Sequence, residues 1–88
     1  MKSGKILVVD DNKGIRDALK ILLGGCFTQV LTLSSPTSLT STVEQTMPDV
    51  ILLDMNFKAD INSGNEGLFW LSEIKKRWPE MPVVLFTA

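Results

Sequence analysis

Three short runs of aliphatic residues constrain the fold of this chain more than any other feature. They lie within residues 5–9 (KILVV), 49–54 (DVILLD) and 82–87 (PVVLFT). None of them alternates polar with apolar residues, so each is expected to form a strand covered on both faces, as in a parallel sheet. A fourth segment, residues 28–33 (TQVLTL), alternates in part and is typical of an edge strand.

Amphipathic stretches separate these runs and predict three helices. The first is expected between Asn12 and Gly24, because glycine is a common helix stop. The second is expected between Ser35 and Pro48, since a serine cap followed by proline favours a helix start. The third is expected from residue 65 or 66 to Trp78. The apolar positions that define their inward faces are Ile15, Ala18, Leu19, Leu22 and Leu23, then Leu39, Val43 and Met47, then Leu68, Leu71, Ile74 and Trp78.

The order of these elements is strand, helix, strand, helix, strand, helix, strand. Such alternation predicts an α/β domain with a parallel sheet, right-handed crossovers and helices on both faces. Ligand sites in these sheets lie beyond the carboxyl ends of the strands, where the strand order reverses. The loop at residues 55–64 follows one of those ends and is longer than most strand-to-helix connections, which favours a functional role.

The composition of the chain excludes several kinds of functional site and partner. The 88 residues include no His and one Cys, Cys26, which excludes zinc clusters, Cys/His catalysis and a disulfide within the chain. A formal charge of −1 gives no field that would attract nucleic acid or anionic lipid. No apolar run reaches the roughly 18 residues that a membrane helix needs. We therefore expect a cytoplasmic domain that binds neither nucleic acid nor membrane directly.

Acidic side chains follow the predicted strands. Asp10 and Asp11 end the first strand, Asp54 ends the third and Thr87 ends the fourth. If the first and third strands are neighbours, the three carboxylates converge, and such an arrangement is unfavourable unless a cation lies between them. Magnesium suits the place because it binds one or two carboxylates together with waters and phosphate oxygens. A single acid here could be a helix cap, as Asp11 or Asn12 could be, but acids at several strand ends favour a functional site.

Asp54 is the strongest candidate for a nucleophile. A carboxylate can attack phosphorus and carry the mixed anhydride that results. Phosphoryl transfer depends on in-line geometry and on neutralising the phosphoryl oxygens more than on a strong base. The lack of His is therefore no obstacle to this chemistry.

Residues 6–11, 50–56 and 82–88 resemble, in order and spacing, the first, third and fourth strands of response-regulator receiver domains of two-component signalling. Residues 55–57 (MNF) and 63–68 (SGNEGL) are further similar to the receivers of NtrC-like transcriptional regulators. The resemblance implies a flavodoxin-like (CheY-like) doubly wound parallel sheet with strand order 2-1-3-4. It also implies that the whole chain is one receiver domain, truncated before the final helix, strand and helix of the family.

By position, the resemblance implies that Asp54 accepts a phosphoryl group from a sensor histidine kinase. Thr87 would be the switch hydroxyl that bonds the phosphoryl oxygen, and the backbone N–H of Ala88 would be a second donor. The cofactor implied is Mg²⁺. Its protein ligands would be Asp10, Asp11, Asp54 and the backbone carbonyl of Asn56.

Family members carry a lysine at the end of a fifth strand, and this sequence stops before it. Lys5 lies at the start of its strand, whereas the acids lie at the other end, and Lys58 lies in the long loop. Neither is therefore expected to replace the missing lysine. Without a fifth strand the fourth becomes an apolar edge, which is a hazard for strand pairing. We therefore expect a homodimer formed through the edge of the fourth strand.

The sequence thus predicts a phosphoacceptor module that switches contacts with an output domain in transcription regulation, and not an enzyme acting on other molecules. One alternative is a docking or dimerisation module that does not accept phosphate. Another is a phosphatase with an aspartyl nucleophile. Such enzymes carry an Asp-x-Asp pattern after the first strand, whereas here the two acids are adjacent and Asn12 follows them.

Overall fold

The computed structural model describes residues 4–54 and 66–86 of the chain. Four strands form one sheet in the order β2-β1-β3-β4, and all neighbouring pairs are parallel. The strands are β1 (Lys5–Val9), β2 (Gln29–Leu33), β3 (Val50–Asp54) and β4 (Val83–Phe86). Each lies within a residue or two of its predicted bounds, and the predicted strand order is confirmed.

The burial of β1 on both faces explains why its sequence has no alternating polar residues. It is a central strand, with β2 on one side and β3 on the other. Leu7, Val8 and Val9 are fully buried, because both faces of a central parallel strand are covered. Leu7 and Val9 belong to the main core cluster, together with Leu53 of β3. Alternation along the strand places Ile6 and Val8 on the opposite face.

Three α-helices connect the strands: α1 (Lys13–Leu23), α2 (Leu39–Thr46) and α3 (Glu66–Arg77). The predicted second helix begins as a separate 3₁₀ turn at Pro36–Ser38. The Ser35 side chain caps that turn by accepting a hydrogen bond from the backbone N–H of Thr37 at 3.3 Å. Core residues Leu39, Val43 and Ile74 pack one face of the sheet. The side chain of Leu68, predicted for the inward face of α3, lies outside the described part of the chain.

The prediction that Met47 lies on the inward face of the second helix is wrong. The helix ends at Thr46. Met47 adopts a left-handed conformation with φ of 46° and is 53% exposed. Its position before Pro48 explains the ending, because the proline ring disfavours the helical conformation in the residue that precedes it.

The prediction of a single inward face for α1 is partly wrong. Ile15, Leu19 and Leu23 are half-buried against the sheet, whereas Ala18 is exposed and Leu22 is 69% exposed. A helix that rests on a sheet through one narrow strip leaves the adjacent strip about a quarter-turn away uncovered. None of the described helices is long and apolar enough to cross a bilayer.

Candidate metal centre

Two neighbouring strands carry the candidate site at their carboxyl ends. Val9 of β1 is paired with Leu53 of β3, so the next residues, Asp10 and Asp54, follow at matching positions. Asp11 continues the chain toward α1. One carboxylate oxygen from each of the three acids lies within 4.8 Å of the others. The predicted convergence of these carboxylates is therefore present in the structure.

Both strand-end acids are buried. Asp10 is 1% exposed and Asp54 is 3% exposed, and among the described residues they are the two buried charged side chains. Burying a carboxylate is costly unless it is paired or coordinates a metal. The Oδ1 atom of Asp10 accepts a hydrogen bond from the backbone N–H of Asn12 at 2.8 Å. Its Oδ2 atom is buried without a hydrogen-bond partner, which is the environment expected of a metal ligand whose ion supplies the missing partner.

Local bonds hold this turn in place. The Asn12 side chain accepts a hydrogen bond from the backbone N–H of Ile15 at 3.0 Å and thereby caps α1. Asn12, and not Asp11, is therefore the helix cap. The backbone N–H of Asp10 donates to the carbonyl of Leu33 at the end of β2, at 3.1 Å. The turn is thus tied to the neighbouring strand as well as to its own helix.

The donor set suits a hard divalent cation. Three carboxylates offer only oxygen ligands, which Mg²⁺ and Ca²⁺ prefer to nitrogen or sulfur. With three formal negative charges within 4.8 Å of one another, a cation between them would remove most of their mutual repulsion. The unpartnered Oδ2 of Asp10 and the charge of the cluster both fit Mg²⁺.

Several predicted site residues lie outside the described part of the chain. These are Asn56, Thr87 and Ala88, together with the loop at 55–64 and its Lys58. Their roles stay predictions. Lys5 lies at the amino-terminal end of β1, at the opposite end of the strand from the acids, as predicted. Its Nζ donates to the carbonyl of Thr46 at 2.9 Å.

The sequence reasoning missed Arg16. Its Nη1 atom donates a hydrogen bond to the backbone carbonyl of Asp10 at 2.8 Å, so it contacts the residue that carries the unpartnered oxygen. The available signal was its position in the first turn of α1, where the helix dipole disfavours a positive charge. A cation there needs a compensating partner.

Residues 6–88 match the family described as the response regulator receiver domain. The chain belongs to this family. The receiver domain is 33% identical over all 88 residues to the DNA-binding transcriptional regulator NtrC of Salmonella typhimurium, of which it covers 18%. It therefore spans less than a fifth of the length of that relative.

Two solved structures show how closely the receiver fold is shared. An N-terminal signal receiver domain of a two-component response regulator from Bacteroides fragilis is 48% identical, with a TM-score of 0.82. The match covers 97% of this chain and 66% of that one. A beryllofluoride-activated NtrC receiver domain is 34% identical, with a TM-score of 0.74, over 100% of this chain and 67% of that one. The predictions of fold and family are confirmed.

Proposed function

We propose that this receiver domain accepts a phosphoryl group on Asp54 from the phosphohistidine of a sensor kinase, with Mg²⁺ held beside it. The observation that supports this most directly is the cluster of three carboxylates, two of them buried, with one unpartnered oxygen on Asp10. A purely structural cluster would be expected to pair that oxygen, because a buried polar atom without a partner costs free energy.

In the proposed transfer, a carboxylate oxygen of Asp54 attacks the phosphorus of the phosphohistidine. The phosphorus–oxygen bond forms as the phosphorus–nitrogen bond breaks, and the leaving imidazole nitrogen takes up a proton from water. Asp54 is the last residue of β3, so the sheet fixes its backbone. Its burial limits the water that competes for the phosphoryl group.

The transfer adds negative charge to a place that already holds three carboxylates, so charge neutralisation is the main requirement. Bound Mg²⁺ would supply it. Asp10 and Asp11 would hold the ion, together with Asp54 and the backbone carbonyl of Asn56. The family resemblance gives the Thr87 hydroxyl the role of bonding the transferred group. The Ala88 N–H would donate a second hydrogen bond to that group.

The domain is proposed to act as a switch on its own phosphorylation state and not as an enzyme on other molecules. Its relative NtrC is a DNA-binding transcriptional regulator. We propose an output domain of that class elsewhere in the full protein, whose contacts with the receiver change when Asp54 is phosphorylated. The sensor kinase is the second proposed partner.

Phosphorylation can be tested by intact-mass measurement of the full-length protein after incubation with Mg²⁺ and a phosphorylated histidine kinase. The parent should gain one phosphoryl group, and the Asp54→Ala variant should gain none. Asp17→Ala, which removes an exposed carboxylate from α1, should behave as the parent. Equal phosphorylation of the Asp54→Ala variant, or none of the parent, would refute the assignment.

The position of β4 at the edge of the described sheet favours a second candidate function, self-association that does not require phosphorylation. β4 ends the described sheet, and Val84 on it is 50% exposed. An unpaired apolar edge strand is a template for another strand. We propose a homodimer through this edge, as the sequence predicted.

Sedimentation distinguishes this dimer from general stickiness. Val84→Lys should shift the protein to monomer, because a charged side chain on an edge strand opposes pairing. Leu22→Lys changes an apolar residue of α1 that is more exposed than Val84 and should leave the dimer intact. A monomeric parent, or dimers of both variants, would exclude the β4 edge as the contact.

A further inference from the structure

Arg16 occupies an unusual place for a cation. It lies in the first turn of α1 and is half-buried, where both the helix dipole and desolvation act against its charge. Within the described part of the chain, its guanidinium makes one hydrogen bond, from Nη1 to the backbone carbonyl of Asp10, at 2.8 Å. This bond spans six residues, so it closes the turn that leads from β1 into α1.

Arg16 bonds the carbonyl of Asp10 and not its carboxylate. Among the described residues, the ion pairs involve other cations, namely Lys13, Lys76 and Arg77. An arginine that reaches an acidic residue frequently forms a bidentate pair with its carboxylate. Here the Oδ2 atom of Asp10 is left without a hydrogen-bond partner, although a guanidinium contacts the same residue.

The consequence is a residue held at three points. The N–H of Asp10 donates to the carbonyl of Leu33, its carbonyl accepts from Arg16, and its Oδ1 accepts from the N–H of Asn12. These bonds fix both peptide groups and one side-chain oxygen. The remaining oxygen, Oδ2, then has one orientation, within the cluster that it forms with Asp11 and Asp54.

We infer that Arg16 is a positioning residue for the metal centre: it holds the Asp10 carbonyl so that Oδ2 is directed at the bound cation. This inference rests on the proposed function, because it assigns Arg16 a role toward Mg²⁺. Groups that orient a metal ligand without touching the metal typically account for 10–100-fold in metal affinity.

The test is a calorimetric titration of the full-length protein with Mg²⁺ alone. Arg16→Met should weaken Mg²⁺ binding roughly tenfold. The direction is diagnostic, because removing a positive charge near the site would by itself strengthen cation binding. Lys20→Met is the matched control: it removes the same charge from an exposed position on the same helix. It should bind Mg²⁺ at least as tightly as the parent.

Amide hydrogen exchange gives a second readout. In Arg16→Met the N–H of Asn12, which donates to Asp10 Oδ1, should exchange faster than in the parent, whereas Lys20→Met should leave it unchanged. If Arg16→Met does not fold, Arg16→Gln takes its place. Glutamine forms helices well, but its side chain is too short to reach the Asp10 carbonyl.

The outcomes separate this inference from the proposed function. If the parent binds Mg²⁺ and the folded Arg16 variant binds it equally or more tightly, the positioning role is wrong and the proposed function stands. If the parent shows no Mg²⁺ binding that depends on Asp10 and Asp54, both are wrong. Weaker binding by the Arg16 variant, with Lys20→Met unchanged, supports the inference.

Discussion

Replacing Asp10 with Asn should stabilise the metal-free domain, which is the opposite of what most substitutions of buried residues do. Asp10 lies within 4.8 Å of both other carboxylates. At that separation, with an effective dielectric constant of about 20, each pair of charges repels by about 3.5 kcal/mol. Asp11 is half-buried, so solvent screens part of this repulsion. The asparagine keeps the Oδ1 acceptor for Asn12 and loses the charge.

Allowing for that screening, we expect a gain of at least about 1 kcal/mol, which raises Tm by roughly 4–8 °C for a domain of this size. Magnesium should reverse the order of the two proteins. At a concentration 100 times its Kd, a ligand of the folded state adds about 2.7 kcal/mol. The parent should gain this and Asp10→Asn should not.

Thermal unfolding with a chelator and then with excess Mg²⁺ measures both parts. Asp17→Asn is the control, since it removes an exposed charge from α1 and should change neither curve by much. A lower Tm for Asp10→Asn in the chelator, together with a parent that ignores Mg²⁺, would refute the view that this cluster is a cation site under electrostatic strain.

Three further outcomes are expected. Beryllofluoride with Mg²⁺ at 100 times its Kd should raise the parent Tm by roughly 11–22 °C and leave the Tm of Asp54→Ala unchanged; an identical response would contradict a phosphoryl site. In urea unfolding, Ile74→Ala should cost about 2–5 kcal/mol, because Ile74 is fully buried, whereas exposed Leu22→Ala should cost about 0.5 kcal/mol or less. The hydrogen bond from Lys13 lowers the pKa of Asp17 below its usual value, so Lys13→Met should raise it in an NMR titration. The small stabilisation that this pair gives is present above the unfolded pKa and is lost as pH falls through the folded pKa.

The sheet could be predicted from sequence because its strands carry their own signal. An apolar run such as residues 5–9 is too short for a helix and too continuous for a half-exposed strand. Once the strands alternate with helices, the parallel pairing and the meeting of Asp10 with Asp54 follow from topology. The site is therefore visible in the sequence wherever its residues end a strand.

The errors arose where the outcome depends on neighbours and not on local pattern. Leu22 fits the apolar spacing of α1, yet periodicity does not tell which of two adjacent apolar strips meets the sheet. Met47 continues the spacing of α2, but the proline after it ends the helix first. The role of Arg16 was not predicted because its side chain bonds a backbone carbonyl. Every residue has such a carbonyl, so residue identity does not mark the partner.

Folding and the proposed cation binding should be coupled in this receiver domain, because the same strands build the core and carry the acids. Val9 and Leu53 are fully buried in the core, and the residues that follow them, Asp10 and Asp54, are acids of the site. The pairing of β1 with β3 that buries the apolar residues also forces the carboxylates together. The sheet therefore cannot relieve the repulsion by separating the strands without exposing its own core. A bound cation would relieve the repulsion without exposing the core, so the free energy of unfolding should rise with Mg²⁺ concentration. The amides of β1 and β3 should show the largest gain in protection from hydrogen exchange.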